Sequence, residues 1–177
     1  YPVGHSLSPA MHNAAFKACG IDSEYRLFEV PPLELKNFLL DPDKTLVDKS
    51  GESVRCGDIL GFNVTIPHKV RAKEILEAEF GLAGQEECLI SGAINTVKGD
   101  GDKLIYCNTD VRGFLASLKS DLGFDPSARQ ALLIGCGGAG RAVVAGLTDD
   151  SAGIFKIYIY EDNRLAAEAV SDYFSQI

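Results

Sequence analysis

The segment from Ala131 to Tyr160 constrains the fold of this chain more than any other. Ala131-Leu-Leu-Ile134 is a continuous apolar run, and Gly135-Cys-Gly137-Gly138-Ala139-Gly140 follows it at once. Arg141 to Leu147 reads as a helix, and Phe155 to Tyr160 is a second apolar run. Short apolar runs flanking a helix predict two parallel strands, because parallel neighbours need a crossover connection. The glycines match G-x-G-x-x-G where that pattern has a physical use, between a strand and a helix N-terminus. The first glycine permits a tight turn, the second lets backbone approach a pyrophosphate, and the third lets helix and strand pack closely. A glycine turn without a ligand is the plainer alternative. No Gly-Lys-Ser/Thr follows, so this is not a Walker-type phosphate loop.

The second strand runs into Glu161-Asp162, with Glu161 21 residues after Gly140. An acid at about that spacing suits the ribose 2′-hydroxyl of an adenosine and repels a 2′-phosphate. The cofactor expectation is therefore NAD or NADP, with NAD favoured. A solvated acid at a strand end is the competing reading.

Charge narrows the class of partner. With 17 basic and 25 acidic residues the net charge is −8. Nucleic acid and anionic membrane surfaces require a positive field, so neither is expected as partner. A small anionic ligand needs only a local site and stays open. No apolar run reaches the ~18–20 residues of a membrane span, and no signal peptide is read. Cys19, Cys56, Cys88, Cys107 and Cys136 are odd in number, without a C-x-x-C pair. They fit free thiols in a reducing cytoplasm better than a disulfide framework or a metal site. Oligomeric state is not readable.

Upstream, Ser8-Pro9 predicts a helix start with Ser8 as N-cap, and Gly20 its stop. Ser23 to Val30 alternates like a strand, Leu33 to Leu40 reads as a short helix, and Asp41 to Asp58 as a polar surface excursion. Gly61 to Ile66 predicts a strand ended by Pro67, and His68 to Glu77 a helix. Ala93 to Lys98 and Leu104 to Cys107 predict strands joined by a turn at Gly99-Asp-Gly-Asp102, with a helix over Val111 to Asp121. Polar groups gather at the ends of these elements. Asn63 and Thr65 share one face by the two-residue period, and Lys69 follows the proline break. Asn95-Thr96 and Asn108-Thr109-Asp110 stand at strand ends. Ser6 and Ser8 flank a helix N-terminus, a favourable seat for a carboxylate. Together these donors and acceptors suit a small polyhydroxylated acid; singly, each is also explained as a cap, a satisfied amide or a surface lysine.

Five motifs in fixed order carry a resemblance: Gly4-His-Ser-Leu-Ser-Pro9 with His12-Asn13, Asn63-Val-Thr-Ile-Pro-His-Lys69, Gly92-Ala-Ile-Asn-Thr96, Asn108-Thr-Asp110, and Gly135-Cys-Gly-Gly-Ala-Gly-Arg141. The chain resembles the shikimate and quinate/shikimate dehydrogenases. That resemblance implies nicotinamide-dependent reduction of 3-dehydroshikimate to shikimate, on the route to chorismate and the aromatic amino acids. It implies Lys69 and Asp110 as the catalytic pair. It gives Ser6 and Ser8 to the substrate carboxylate, and Asn63, Thr65 and Asn95 to the ring oxygens. Gly135, Gly137, Gly138, Ala139, Gly140, Glu161 and Asp162 would hold the cofactor. Two serines in the first motif look like the shikimate-using pattern. Family members that use NADP carry Asn-Arg-Thr/Ser after the second strand; here Asn163-Arg164 comes after Glu161-Asp162. His5, His12 and His68 are expected to be structural.

The implied architecture is α/β: an N-terminal α/β substrate domain over residues 1–122, then the first βαβ of a Rossmann-type dinucleotide-binding domain over 123–177. The chain is expected to be truncated at both ends: it begins at Tyr1 without the substrate domain's first strand, and a two-stranded parallel sheet with uncovered faces is not stable alone. The alternatives are an NAD-using quinate/shikimate dehydrogenase of quinate catabolism and a non-catalytic NAD-sensing module. An enzyme resembling methylenetetrahydrofolate dehydrogenase fits the lysine but not Ser6 and Ser8.

Overall fold

Pro9 stands in the first turn of α1 (Ser8–Cys19), and the N–H groups of Gly20 and Ile21 close on the carbonyls of Lys17 and Phe16. The computed structural model describes residues 2–81, 86–100 and 103–176. The chain divides into two compact units, Tyr1–Leu60 and Gly61–Ile177, each described by itself. The boundary expected near residue 122 falls inside the second unit.

The first unit holds α1, α2 (Leu35–Leu40) entered through a 3-10 turn, and an antiparallel hairpin of β1 (Thr45–Val47) and β2 (Ser53–Arg55). Two expectations change here. Ser23–Val30 is not a strand: the N–H and C=O of Tyr25 are both taken by the Asn13 amide of α1, at 2.7 and 3.1 Å, where a strand would use a ladder. Conversely, the polar run 41–58 contains the hairpin. The Asp48 carboxylate accepts from the Ser50 N–H, the Ser50 hydroxyl and the Glu52 N–H at 2.8, 2.6 and 3.0 Å, and so closes the turn. These bonds hold its carboxyl below the usual range, the Ser50 hydroxyl foremost.

The second unit begins with an antiparallel sheet in the order β3 (Gly61–Asn63), β4 (Thr96–Asp100), β5 (Lys103–Cys107). Its register places Asn63, Thr96 and Cys107 side by side at one end. Gly101 and Asp102 of the expected hairpin turn lie outside the described residues. Helix α3 (Lys69–Phe80) contributes Ala72 and Leu76, both fully buried, as are Ile94, Val97 and Tyr106 of the sheet region. Each large apolar side chain so buried contributes about 1.5–3 kcal/mol. A further short helix, α4 (Glu86–Ser91), precedes the loop to β4.

The βαβ prediction holds. Parallel strands β6 (Gln130–Ile134) and β7 (Lys156–Tyr160) pair across α6 (Gly138–Thr148), and α7 (Arg164–Phe174) follows. Cys136, Val144 and Val170 form a core with Leu133, Ile157 and Phe174 on one sheet face. On the other face Leu132, Ile134, Tyr158 and Tyr160 are exposed. Helix α5 (Thr109–Ser120) packs on α6 through Val111, Ala142 and Ala145, with Ile90 of α4 alongside.

Candidate active site

The sheet end that aligns Asn63, Thr96 and Cys107 also places the residues just beyond those strands. Backbone bonds extend the ladder there: Val64 N–H donates to the Asn95 carbonyl (2.8 Å) and Asn95 N–H to the Cys107 carbonyl (3.1 Å). Val64 is buried while Asn63 and Thr65 flank it on the exposed side, as the two-residue period predicts. The Ile66–Pro67 peptide is cis. After it His68, buried, donates its N–H to the Thr65 carbonyl at 2.8 Å, and α3 starts at Lys69.

Lys69 Nζ stands 2.5 Å from Asp110 Oδ2. The lysine side chain is 15% exposed and the aspartate 34%, so the pair is sheltered yet reachable. The other aspartate oxygen accepts from Asn95 Nδ2 at 2.8 Å. Asn95 is itself fixed: its amide also donates to Thr109 Oγ1 (2.9 Å), and its carbonyl oxygen accepts from Thr109 N–H (3.0 Å) and the Thr96 hydroxyl (2.9 Å). Asn63 Nδ2 donates to Thr96 Oγ1 at 3.0 Å. The structure therefore brings together Asn63, Lys69, Asn95 and Asp110 in one hydrogen-bonded group.

Sequence reasoning counts Asn108 among the polar groups that suit a ligand, whereas the structure makes it a buried residue that builds the site. It is 2% exposed, and its amide donates to Ser91 Oγ and the Ala93 carbonyl at 3.0 and 3.1 Å. Its carbonyl oxygen accepts from Asp110 N–H at 3.2 Å, capping α5 and fixing the first turn that carries Asp110. The available signal is an Asn between a strand and a helix. Cys107, half-buried, has its thiol pushed up by burial, so it stays protonated at neutral pH.

Ser6 and Ser8 lie in the first unit. Ser6 Oγ accepts from Ser8 N–H (3.2 Å) and donates to Ser8 Oγ (3.1 Å). The helix begins one residue earlier than expected, with Leu7 as N-cap, because the Ser6 hydroxyl receives the first N–H and draws Ser8 into the first turn. Both hydroxyls are half-buried. His12 stacks on Tyr25 at 4.5 Å between ring centroids.

The glycine loop has the shape a phosphate cradle requires. Gly135 has φ +83°, and a Cβ on Gly140 would stand 2.6 Å from the Gly135 carbonyl oxygen. A Cβ on Gly137 would meet nothing within 4 Å, so the loop faces open space there. Among the described residues no side chain caps α6, whose first N–H groups are left for an anion. The loop thus fits a dinucleotide pyrophosphate. Glu161 reaches back to it: its carboxylate accepts from Cys136 N–H at 3.0 Å and from Asn163 N–H at 3.4 Å. These bonds, Cys136 first, hold its carboxyl below the usual range. Asp162 is exposed, as is Arg164, which pairs with Glu168 at 2.8 Å. Among the described residues no helix is long and apolar enough to cross a membrane.

The family model for the shikimate dehydrogenase substrate binding domain matches residues 1–97. A shikimate dehydrogenase (NADP(+)) of Geobacter metallireducens is 42% identical over 152 residues, covering 86% of this chain and 47% of that protein. Its counterpart from Symbiobacterium thermophilum is 40% identical over 168 residues, covering 95% and 50%. The crystal structure of the Thermus thermophilus shikimate 5-dehydrogenase with NADP(H) and shikimate superposes with a TM-score of 0.74 at 31% identity, covering 99% of this chain and 58% of that one. The chain spans about half the length of the curated relatives it matches. On the matched domain, the shared fold and the retained motifs, this chain belongs to the shikimate dehydrogenase family.

Proposed function

We propose that this chain supplies the substrate half and the start of the cofactor half of a shikimate dehydrogenase, the enzyme that interconverts 3-dehydroshikimate and shikimate. The observation that carries the reading is the sheltered Lys69–Asp110 pair in a chain of this family. When bound, the nicotinamide supplies or accepts the hydride. Lys69 gives a proton to the developing alkoxide in reduction and takes it back in oxidation. Asp110 orients the lysine and hydrogen-bonds the same hydroxyl, held by Asn95 on its other oxygen. Ser6 and Ser8 bind the substrate carboxylate; Asn63, Thr65 and Asn95 bind its ring oxygens. In this reading residues 1–122 serve the substrate and 123–177 the cofactor, and the enzyme works in the cytoplasm.

Gly135, Gly137, Gly138, Ala139 and Gly140 would hold the pyrophosphate, with Glu161 and Asp162 near the adenosine ribose. The cofactor has two readings. The NADP(+) in the names of the relatives favours NADP, with Arg164 as an exposed cation at the start of α7. The charge of Glu161 favours NAD. Assaying shikimate and quinate oxidation with each cofactor on the full chain tests both substrate and cofactor. Shikimate-dependent reduction of either nicotinamide supports the function; activity on neither substrate rejects it. A higher kcat/KM with NADP removes the role given to Glu161.

A further inference from the structure

We propose that Gly138 is a positioning residue for Lys69: the bare first residue of α6 gives the lysine stem the space in which it reaches Asp110. The proposal rests on the catalytic reading of Lys69 above. A Cβ placed on Gly138 would stand 2.8 Å from Lys69 Cβ, 3.0 Å from Cδ and 3.2 Å from Cγ. The nearest of these atoms is fixed to the lysine backbone, so rotation of the side chain does not relieve the overlap.

Both backbones are tied in place. The Lys69 carbonyl accepts from the N–H of Ile94, a fully buried residue, at 3.0 Å. Helix α6 is held at its start by the close approach of Gly140 to the Gly135 carbonyl. Further along, α6 is held by Ala142 and Ala145 against Val111. Val111 follows Asp110 directly in α5, so the helix that touches the lysine stem also packs on the helix that carries its partner. The lysine is thereby bracketed, with its stem on α6 and its ammonium on Asp110. Gly138 therefore matters beyond the cofactor loop. Gly137, one residue earlier, faces open space and makes no such contact.

The test compares Gly138→Ala with Gly137→Ala in the full chain. The first measurement is the NMR signal of the Lys69 ε-methylene without cofactor, assigned by its loss in Lys69→Gln. Gly138→Ala moves that signal; Gly137→Ala leaves it in place. An unmoved Lys69 signal in Gly138→Ala overturns the proposal. The second measurement is the kcat–KM split: Gly138→Ala lowers kcat by about 10²-fold and leaves KM for shikimate nearly unchanged. Unchanged kcat also overturns it. The NMR result is independent of turnover, whereas normal turnover by Lys69→Ala would reject the catalytic reading itself. Should Gly138→Ala not fold, Lys69→Gly/Gly138→Ala decides. Recovered folding in the double variant supports the contact, and equal failure contradicts it.

Discussion

Lys69 Nζ lies 2.5 Å from Asp110 Oδ2, although 41 residues separate them in the chain. The sheet makes this meeting, since β3 leads toward the lysine and β5 toward the aspartate at the same end. Asp110→Asn keeps the shape and removes the charge that holds the ammonium. Turnover of shikimate is expected to fall by about 10²-fold with little change in KM. Steady-state kinetics on the purified variant check this, and a raised KM at normal kcat would assign Asp110 to binding alone.

Asn108 links α5 to the buried Ser91–Ala93 turn through its amide. Asn108→Ala removes one of the two donors to Ser91 Oγ and one of the two to the Ala93 carbonyl in the core, and uncaps the helix. Stability should drop by about 1–3 kcal/mol. A urea melt should show a lower midpoint at unchanged slope.

Among the thiols, Cys19 is exposed while Cys88 and Cys136 are buried. Burial also pushes the Cys136 thiol up, which lowers its thiolate fraction further. In the native protein a thiol reagent should therefore label Cys19 quickly and Cys136 only after unfolding. Peptide mapping of the labelled protein reads this out, and fast labelling of Cys136 would show that the β6–α6–α7 core opens readily.

Glu161 ties the end of β7 to the glycine loop through Cys136 N–H. Its carboxyl is held below the ordinary value, so the stability it contributes is present at neutral pH. That stability is lost as pH falls from about 5 through its lowered value. Glu161→Gln should flatten this part of the stability–pH curve. Thermal melts at a series of acidic pH values test it; parallel curves for the two proteins would mean that the bond is absent in solution.

The βαβ segment is legible in the sequence because its apolar runs and glycines act locally. The same holds for α3 and α5, where a proline or an Asn marks the start. Ser23–Val30 misleads because alternation reports two faces but not a neighbour, and its neighbour here is the Asn13 side chain. Helix α4 has six residues, too few for a period to show. The Lys69–Asp110 pairing comes from family resemblance, since spacing along the chain says nothing about register between strands. The approach of Gly138 to Lys69 is invisible for the same reason: the glycine is explained locally by the loop, and its second contact exists only in the fold.

In the proposed mechanism Lys69 moves the proton. Kinetics of shikimate oxidation by the full chain and its Lys69→Ala variant decide this. The variant is expected to show a kcat lower by about 10²–10⁴-fold with KM for shikimate close to that of the parent. Near-normal kcat in Lys69→Ala would contradict it.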